Sequence, residues 1–255
     1  MALFTDGPIS TILDLQNYES GVLAVASTAG IDLTGKMRLA QDELSSEILL
    51  FLLRRSPFPE GQRAQRRARG VEDVVVTGAL KQWHVHKTLE LVYRDVYNSQ
   101  VNDRYVGKWQ EYEQLSQISS DTYFQVGVGI VANPLPKPSS VLLSTVAGDG
   151  AAANYYVLAT WVNGTGQESS PSDMGQISIA DGAQLMIALA EPPAAASGWN
   201  AYLGETPTAV FLQNESLIAV NSNWTLTGSL AQGRQPGKGQ QPTWFLVDHR
   251  VIERG

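Results

Sequence analysis

The chain contains no cysteine. That absence removes disulfides, thiolate nucleophiles and thiolate metal sites, and it suits a reducing cytoplasm. Histidine is nearly as scarce, with three copies in 255 residues. No run of eighteen apolar residues occurs, so no membrane-spanning helix is expected. The opening MALFTDGPIST lacks the basic segment and apolar core of a secretory signal. The local markers of common enzymes are missing too. There is no Gly-x-Ser-x-Gly elbow. GVGIVA runs into prolines where a dinucleotide fingerprint needs a third glycine, and in GRQPGKG a phosphate loop would need Ser or Thr where Gly239 stands. Carboxylate pairs such as Asp42-Glu43 and Glu111/Glu113 fall on polar helix faces. The chain is therefore read as a non-enzyme, with no cofactor, no metal and no small-molecule substrate.

Positive charge is thin everywhere except in one place. The net charge is −7. The stretch RRSPFPEGQRAQRRARG, residues 54–70, holds Arg54, Arg55, Arg63, Arg66, Arg67 and Arg69 against Glu60 alone, a local +5 that leaves −12 on the remaining chain. Such a concentration on an oppositely charged body suits an acidic partner.

At 43% hydrophobic and 17% charged, the chain can bury a real core. It is written in two patterns, and an α+β fold of two domains follows. Residues 1–133 read as a helical domain. Ile12, Leu15 and Tyr18 begin one stripe with Thr11 as its cap. Met37, Ala40, Leu44, Ile48 and Phe51 form a second stripe at steps of three and four, ending at Ser56-Pro57. Val85, Leu89, Val92 and Val96 form a third. Val101, Tyr105, Trp109, Tyr112 and Leu115 form a fourth, giving two helices or one long helix with a joint near Asn98–Asp103. The alternating Pro134, Pro136 and Pro138 mark an extended linker over 134–138. From 139 to 232 the runs NYYVLATWVN, GQISIA, QLMIALA, WNAYLG and AVFLQN are short and apolar. Turns at Asn163-Gly164, Asp181-Gly182 and Ser197-Gly198 separate them, which suits an antiparallel β-sandwich of about seven strands. Residues 233–255 read as an extended tail.

The pair His84-x-His86 resembles a metal motif only on paper. Two residues apart on a helix, the rings point about 200° away from each other, whereas zinc helices use i, i+4 spacing. With no partner motif around His249, both are read as packing or surface histidines. The aromatics and cations of the same segment are better explained as contact surface, because Tyr, Trp and Arg are enriched at interfaces. Trp83, Tyr93, Arg94, Tyr97 and Arg104 are expected to pack between helices or subunits, while Tyr105 and Trp109 fill the core. In the tail, Trp244, Phe245 and Leu246 are expected to anchor an unsupported strand on a neighbour, by β-addition or pocket filling.

The segments ALKQWH, YRDVYN, NDRYVGKWQEY and FQVGVGIV followed by spaced prolines resemble the C-terminal helices of head–tail adaptor (head-completion, connector) proteins of tailed bacteriophages. The stretches YYVLATWVNGTGQESSPS, GWNAYLGETP and FLQN resemble the immunoglobulin or fibronectin type III-like module attached to many phage structural proteins. Together these resemblances span most of Thr5–Arg254. They imply a virion neck protein made in the bacterial cytoplasm. Such a protein forms a ring of about twelve copies under the portal, joins it to the next neck or tail component and lines the DNA channel, with no membrane partner. An acidic body would not hold passing phosphates, and the Arg-rich loop would face either an acidic portal surface or the DNA. The rival reading is a carbohydrate-binding or adhesion protein, with Trp161, Trp199 and Trp224 as an aromatic platform on the β module.

Overall fold

The computed structural model describes residues 1–55, 69–100 and 103–247. It has helices in its first half and antiparallel sheets in its second, an α+β architecture. The chain divides into two compact units. One comprises Gly7–Ile130 with Pro242–Gly255, and the other Met1–Asp6 with Val131–Gln241.

The helical unit contains α1 (Ile12–Tyr18), α2 (Val22–Ala29), α3 (Leu33–Arg55), α4 (Gly78–Gln100) and α5 (Val106–Val126). Local chemistry sets their ends. Thr11 caps α1 through a capping box: its hydroxyl accepts from the Asp14 N–H, and the Asp14 carboxylate accepts from the Thr11 N–H at 2.7 Å. Gly30 closes α2 in the left-handed region at φ 66°. Asp32 Oδ1 accepts the Thr34 N–H at 3.0 Å and so starts α3. The last residue of α3 is Arg55, just short of the Ser56-Pro57 stop. A 3₁₀ turn at Asp103–Tyr105 precedes α5, so there are two helices. Of the fourth stripe, Trp109, Tyr112 and Leu115 lie on α5 and Tyr105 on the turn, while Val101 lies outside the described residues.

Burial follows the spacing. Met37, Ala40, Leu44 and Ile48 of α3 and Val85, Leu89, Val92 and Val96 of α4 are all buried. Val85, Leu89, Val92 and Val96 pack with Leu15, Val22, Met37, Tyr93 and Tyr112, and with the partly buried Tyr105, Trp109 and Leu115. The α1 stripe holds only in part. Leu15 is fully buried, but Ile12 and Tyr18 are 39% and 50% exposed, because a seven-residue helix turns only one side to the core.

The same unit contains a small sheet. β1 (Val128–Ile130) pairs antiparallel with β10 (Trp244–Leu246), and Thr243 N–H donates to Ile130 O at 2.7 Å. On the other edge of β1, Val75 N–H donates to Gly129 O at 2.9 Å and Val74 bridges Ile130. The tail strand expected on a neighbour is therefore used within its own chain. β1 is buried along its whole length, so its backbone groups require partners on both edges.

The β unit holds β2 (Val141–Ala147), β3 (Ala153–Asn163), β4 (Gly175–Ile179), β5 (Ala183–Leu189), β6 (Ala196–Thr206), β7 (Ala209–Leu212), β8 (Ile218–Ala219) and β9 (Trp224–Thr225). One sheet runs β2-β5-β9 and the other β4-β3-β6-β7, with β8 also on β6. Between them lies a core of Val157, Ala159, Trp161, Leu185, Ile187, Trp199, Ala201 and Leu203. Ser197-Gly198 is not a turn but part of β6, where a Cβ on Gly198 would strike the Ile218 carbonyl of β8. The proline segment is not a free linker. Leu135 is fully buried, its N–H donates to Gln240 Oε1 at 2.6 Å, and Lys137 N–H donates to Asp6 Oδ1 at 2.9 Å. Asp6 also accepts from Leu3 N–H at 2.8 Å and Ser170 Oγ at 2.7 Å, so the first six residues belong to the β unit.

Candidate functional site

α4 is the central element of the helical unit. It packs on α5, α3, α2 and α1, and from Trp83 to Val96 most of its side chains are buried. His84 is fully buried, with Nε2 at 2.9 Å from Met37 O and Nδ1 at 2.8 Å from Ser10 Oγ. His86 lies 2.7 Å from Ser119 Oγ through Nδ1 and edge-on to the Tyr18 ring at 5.1 Å. Burial lowers both imidazole pKa values, partly offset by backbone carbonyls of Met37 and Leu115 respectively. These are packing histidines. Among the described residues, no cluster of three or more His, Cys, Asp or Glu could hold a metal.

The aromatics of α4 are mostly interior. Trp83, 1% exposed, sits 5.6 Å from both Tyr123 and Phe124. Tyr93, 3% exposed, stacks on Tyr112 at 5.5 Å, and burial raises its pKa to about 12. Both therefore pack between helices of one chain, not on a partner surface. Tyr97, half-buried, stacks on Trp109 at 5.7 Å. Arg94 is half-buried with its guanidinium 4.0 Å from Glu90, and the exposed Arg104 lies over the Tyr105 ring at 5.6 Å.

Polar ties hold this layer together. Lys87 pairs with Glu43 at 2.9 Å and Glu90 at 3.2 Å. Burial pulls its pKa down, but the carboxylates outweigh it and the net shift is upward. Glu19 accepts from Tyr112 Oη and Lys108 Nζ, each at 3.0 Å. These bonds hold its carboxyl below the usual range although burial acts the other way.

The cationic candidates divide. Arg54 is exposed at the end of α3, and Arg55 is the final residue of that helix. Arg63, Arg66 and Arg67 lie outside the described residues. Arg69 is half-buried, its guanidinium 5.0 Å above the Trp244 ring, a cation–π contact within the helical unit. In β10, Trp244 and Leu246 are half-buried while Phe245 is 50% exposed.

What residue spacing alone missed is the outer surface of the helices. The exposed large apolar side chains include Ile12, Leu13, Leu23, Leu39, Leu49, Leu50, Leu53, Ile118 and Val126 of the helical unit, against Leu142, Met174 and Leu217 in the β unit. Three of them, Leu49, Leu50 and Leu53, crowd the last two turns of α3. The sequence ILLFLLRR carried this signal, because a continuous apolar run cannot be buried on all sides of a surface helix.

The β unit offers a different feature. Trp161 and Trp199 face each other across β3 and β6 inside the core, at 1% and 0% exposure. They form no platform, and Trp224 is half-buried. A cleft of about 710 Å³ opens elsewhere, with Tyr155, Phe211, Leu203 and Leu226 on its walls and Asp149, Glu205 and Gln232 among its polar lining. No protein-family model matches the chain, and neither does any curated protein sequence.

Proposed function

We propose that this chain is a structural subunit of a tailed-bacteriophage neck, a head-to-tail adaptor that assembles as a ring between the portal and the next neck or tail component. The observation that carries the reading is the helical unit's outer surface. It leaves leucines 41–59% exposed along α3, and a subunit that covers them in an assembly explains what an isolated domain does not. The motif resemblance of α4 and α5 supports the same reading, as does the −12 of the chain outside 54–70, which suits a channel wall that lets DNA slide. The test is electron microscopy of the full chain mixed with portal rings from the same phage, together with antibody labelling of virions. Added density on the portal and label at the neck are expected. Bare portals and unlabelled necks would refute the proposal.

A second reading, carbohydrate binding, now rests on the cleft beside Tyr155 and Phe211, since Trp161 and Trp199 are interior. Rings beside carboxylates and amides suit a sugar's apolar face and hydroxyls. A glycan array probed with the full chain decides it: binding lost on Tyr155→Ala or Phe211→Ala supports the reading, and a blank array dismisses it.

A further inference from the structure

We infer that the outer face of α3 docks on the outer face of α5 of a second copy of this chain, in a head-to-tail contact. The inference rests on the neck-subunit reading only for closure of the contact into a ring.

Two faces on different helices carry it. Both α3 and α5 pack on α4. On the outward side of α3, Leu49, Leu50 and Leu53 are 41%, 52% and 59% exposed, followed by the exposed Arg54. No carboxylate occurs between Glu47 and Glu60, so this end of the helix is apolar and cationic. The outward side of α5 is its complement. Glu113, Gln117 and Asp121 recur at steps of four, all exposed, with Ile118 at 52% exposure beside them. From Gln110 to Val126 the helix has no cation at all. Glu111 is already paired with Lys108 at 3.2 Å, which leaves Glu113 and Asp121 as the carboxylates facing outward.

Charge complementarity selects the occupant. A leucine patch with an arginine at its edge fits an acidic helix bearing one isoleucine, and each copy carries both halves. A self-complementary patch would give a two-fold dimer, whereas two different patches give a heterologous contact that propagates and closes if its rotation allows. Two copies of α3 would instead bring Arg54 towards Arg54, and two copies of α5 would set carboxylate against carboxylate.

The chain's lack of cysteine makes the contact directly testable. Leu50→Cys and Ile118→Cys are made in separate full-length copies, mixed and oxidised at high protein concentration. A mixed disulfide dimer is expected, at least tenfold above either variant oxidised alone. Leu53→Cys with Gln117→Cys provides a second pair at exposed positions. Arg54→Glu should lower the mixed yield about 1.4- to fivefold, the range of one exposed ion pair, and Asp121→Arg on the other copy should restore it. Mixed yield no higher than self-pairing in both pairs, or dominant Leu50→Cys self-pairing, overturns the inference. Mixed dimers from a protein that ignores the portal would leave this contact standing and remove the neck reading. Portal-bound rings without mixed disulfides would do the reverse.

Discussion

Replacing His84 with leucine tests the packing of the helical unit where three segments meet. The Met37 carbonyl can only accept, so Nε2 carries the proton and donates to it, and Nδ1 accepts from the Ser10 hydroxyl. His84→Leu keeps the volume but leaves Ser10 Oγ and Met37 O without that partner, and both residues are buried. The Met37 carbonyl, inside α3, keeps its helix bond from the Gln41 N–H, so Ser10 Oγ is the orphaned group. At about 1–3 kcal/mol per orphaned buried group, the loss should be roughly 1–3 kcal/mol. The histidine also makes stability depend on pH. Burial lowers its folded pKa, so the unfolded chain takes the proton first as pH falls. Its contribution is complete above the unfolded value of about 6.5. Below that value it is lost progressively towards the folded pKa, at up to about 1.4 kcal/mol per pH unit. His86 acts with the same sign. Urea unfolding followed by the helical circular-dichroism signal, at several pH values from about 7.5 to 5.5, measures both effects. The wild type should weaken as pH falls, and His84→Leu should be weaker throughout but less pH-sensitive. A wild-type stability flat across that range, or a variant within about 0.5 kcal/mol of wild type, would refute this account.

Tyr123 is fully buried, its hydroxyl has no hydrogen-bond partner among the described residues, and burial raises its pKa. Tyr123→Phe should therefore raise stability by about 1 kcal/mol, and a loss on denaturation would show a bond that the geometry does not contain. Gly204→Ala should destabilise the β unit by about 1–3 kcal/mol, because the added methyl would run into the Ala209 carbonyl across β6 and β7; unchanged melting would count against that register. Trp244→Ala should cost about 1–2 kcal/mol through lost burial and the Arg69 contact. It should also speed hydrogen exchange at Val128 and Ile130, and unchanged protection there would show that β10 does not support β1.

Periodicity was legible wherever one face of a long element meets a core. The stripes of α3 and α4 were readable as far as Ile48 and Val96, though on α3 burial passes to Leu52 and leaves Phe51 half-buried, and Thr11 announced α1. Features that depend on distant partners were not. Nothing local to Trp244–Leu246 marks Val128–Ile130 as its partner, and nothing local to Asp6 marks Ser170 and Lys137. Gly198 looked like a turn because glycine serves turns, yet here it serves the close approach of β8. Trp161 and Trp199 looked like a platform because an aromatic in a strand shows no side preference until its sheet has a partner sheet.

The same ambiguity governs the aromatic segment Ala79–Leu115. Interfaces and cores are both desolvated and both favour Trp and Tyr, so composition alone cannot say which a residue serves. Here Trp83, Tyr93 and Tyr112 are interior, as are His84 and His86. A motif carried mainly by interior residues constrains how helices pack, and unrelated partners can be served by the same packing. Partner choice must be written on exposed residues instead, and on this unit those include Leu49, Leu50, Leu53 and Arg54 on one helix and Glu113, Ile118 and Asp121 on another. The resemblance to adaptors is carried by α4 and α5 and does not touch the α3 half of that set. Substitutions at Leu49, Leu50, Leu53 and Arg54 should therefore separate the proposed contact between copies from folding: they should weaken that contact while leaving the buried α4 core, and the pH response of His84, unchanged.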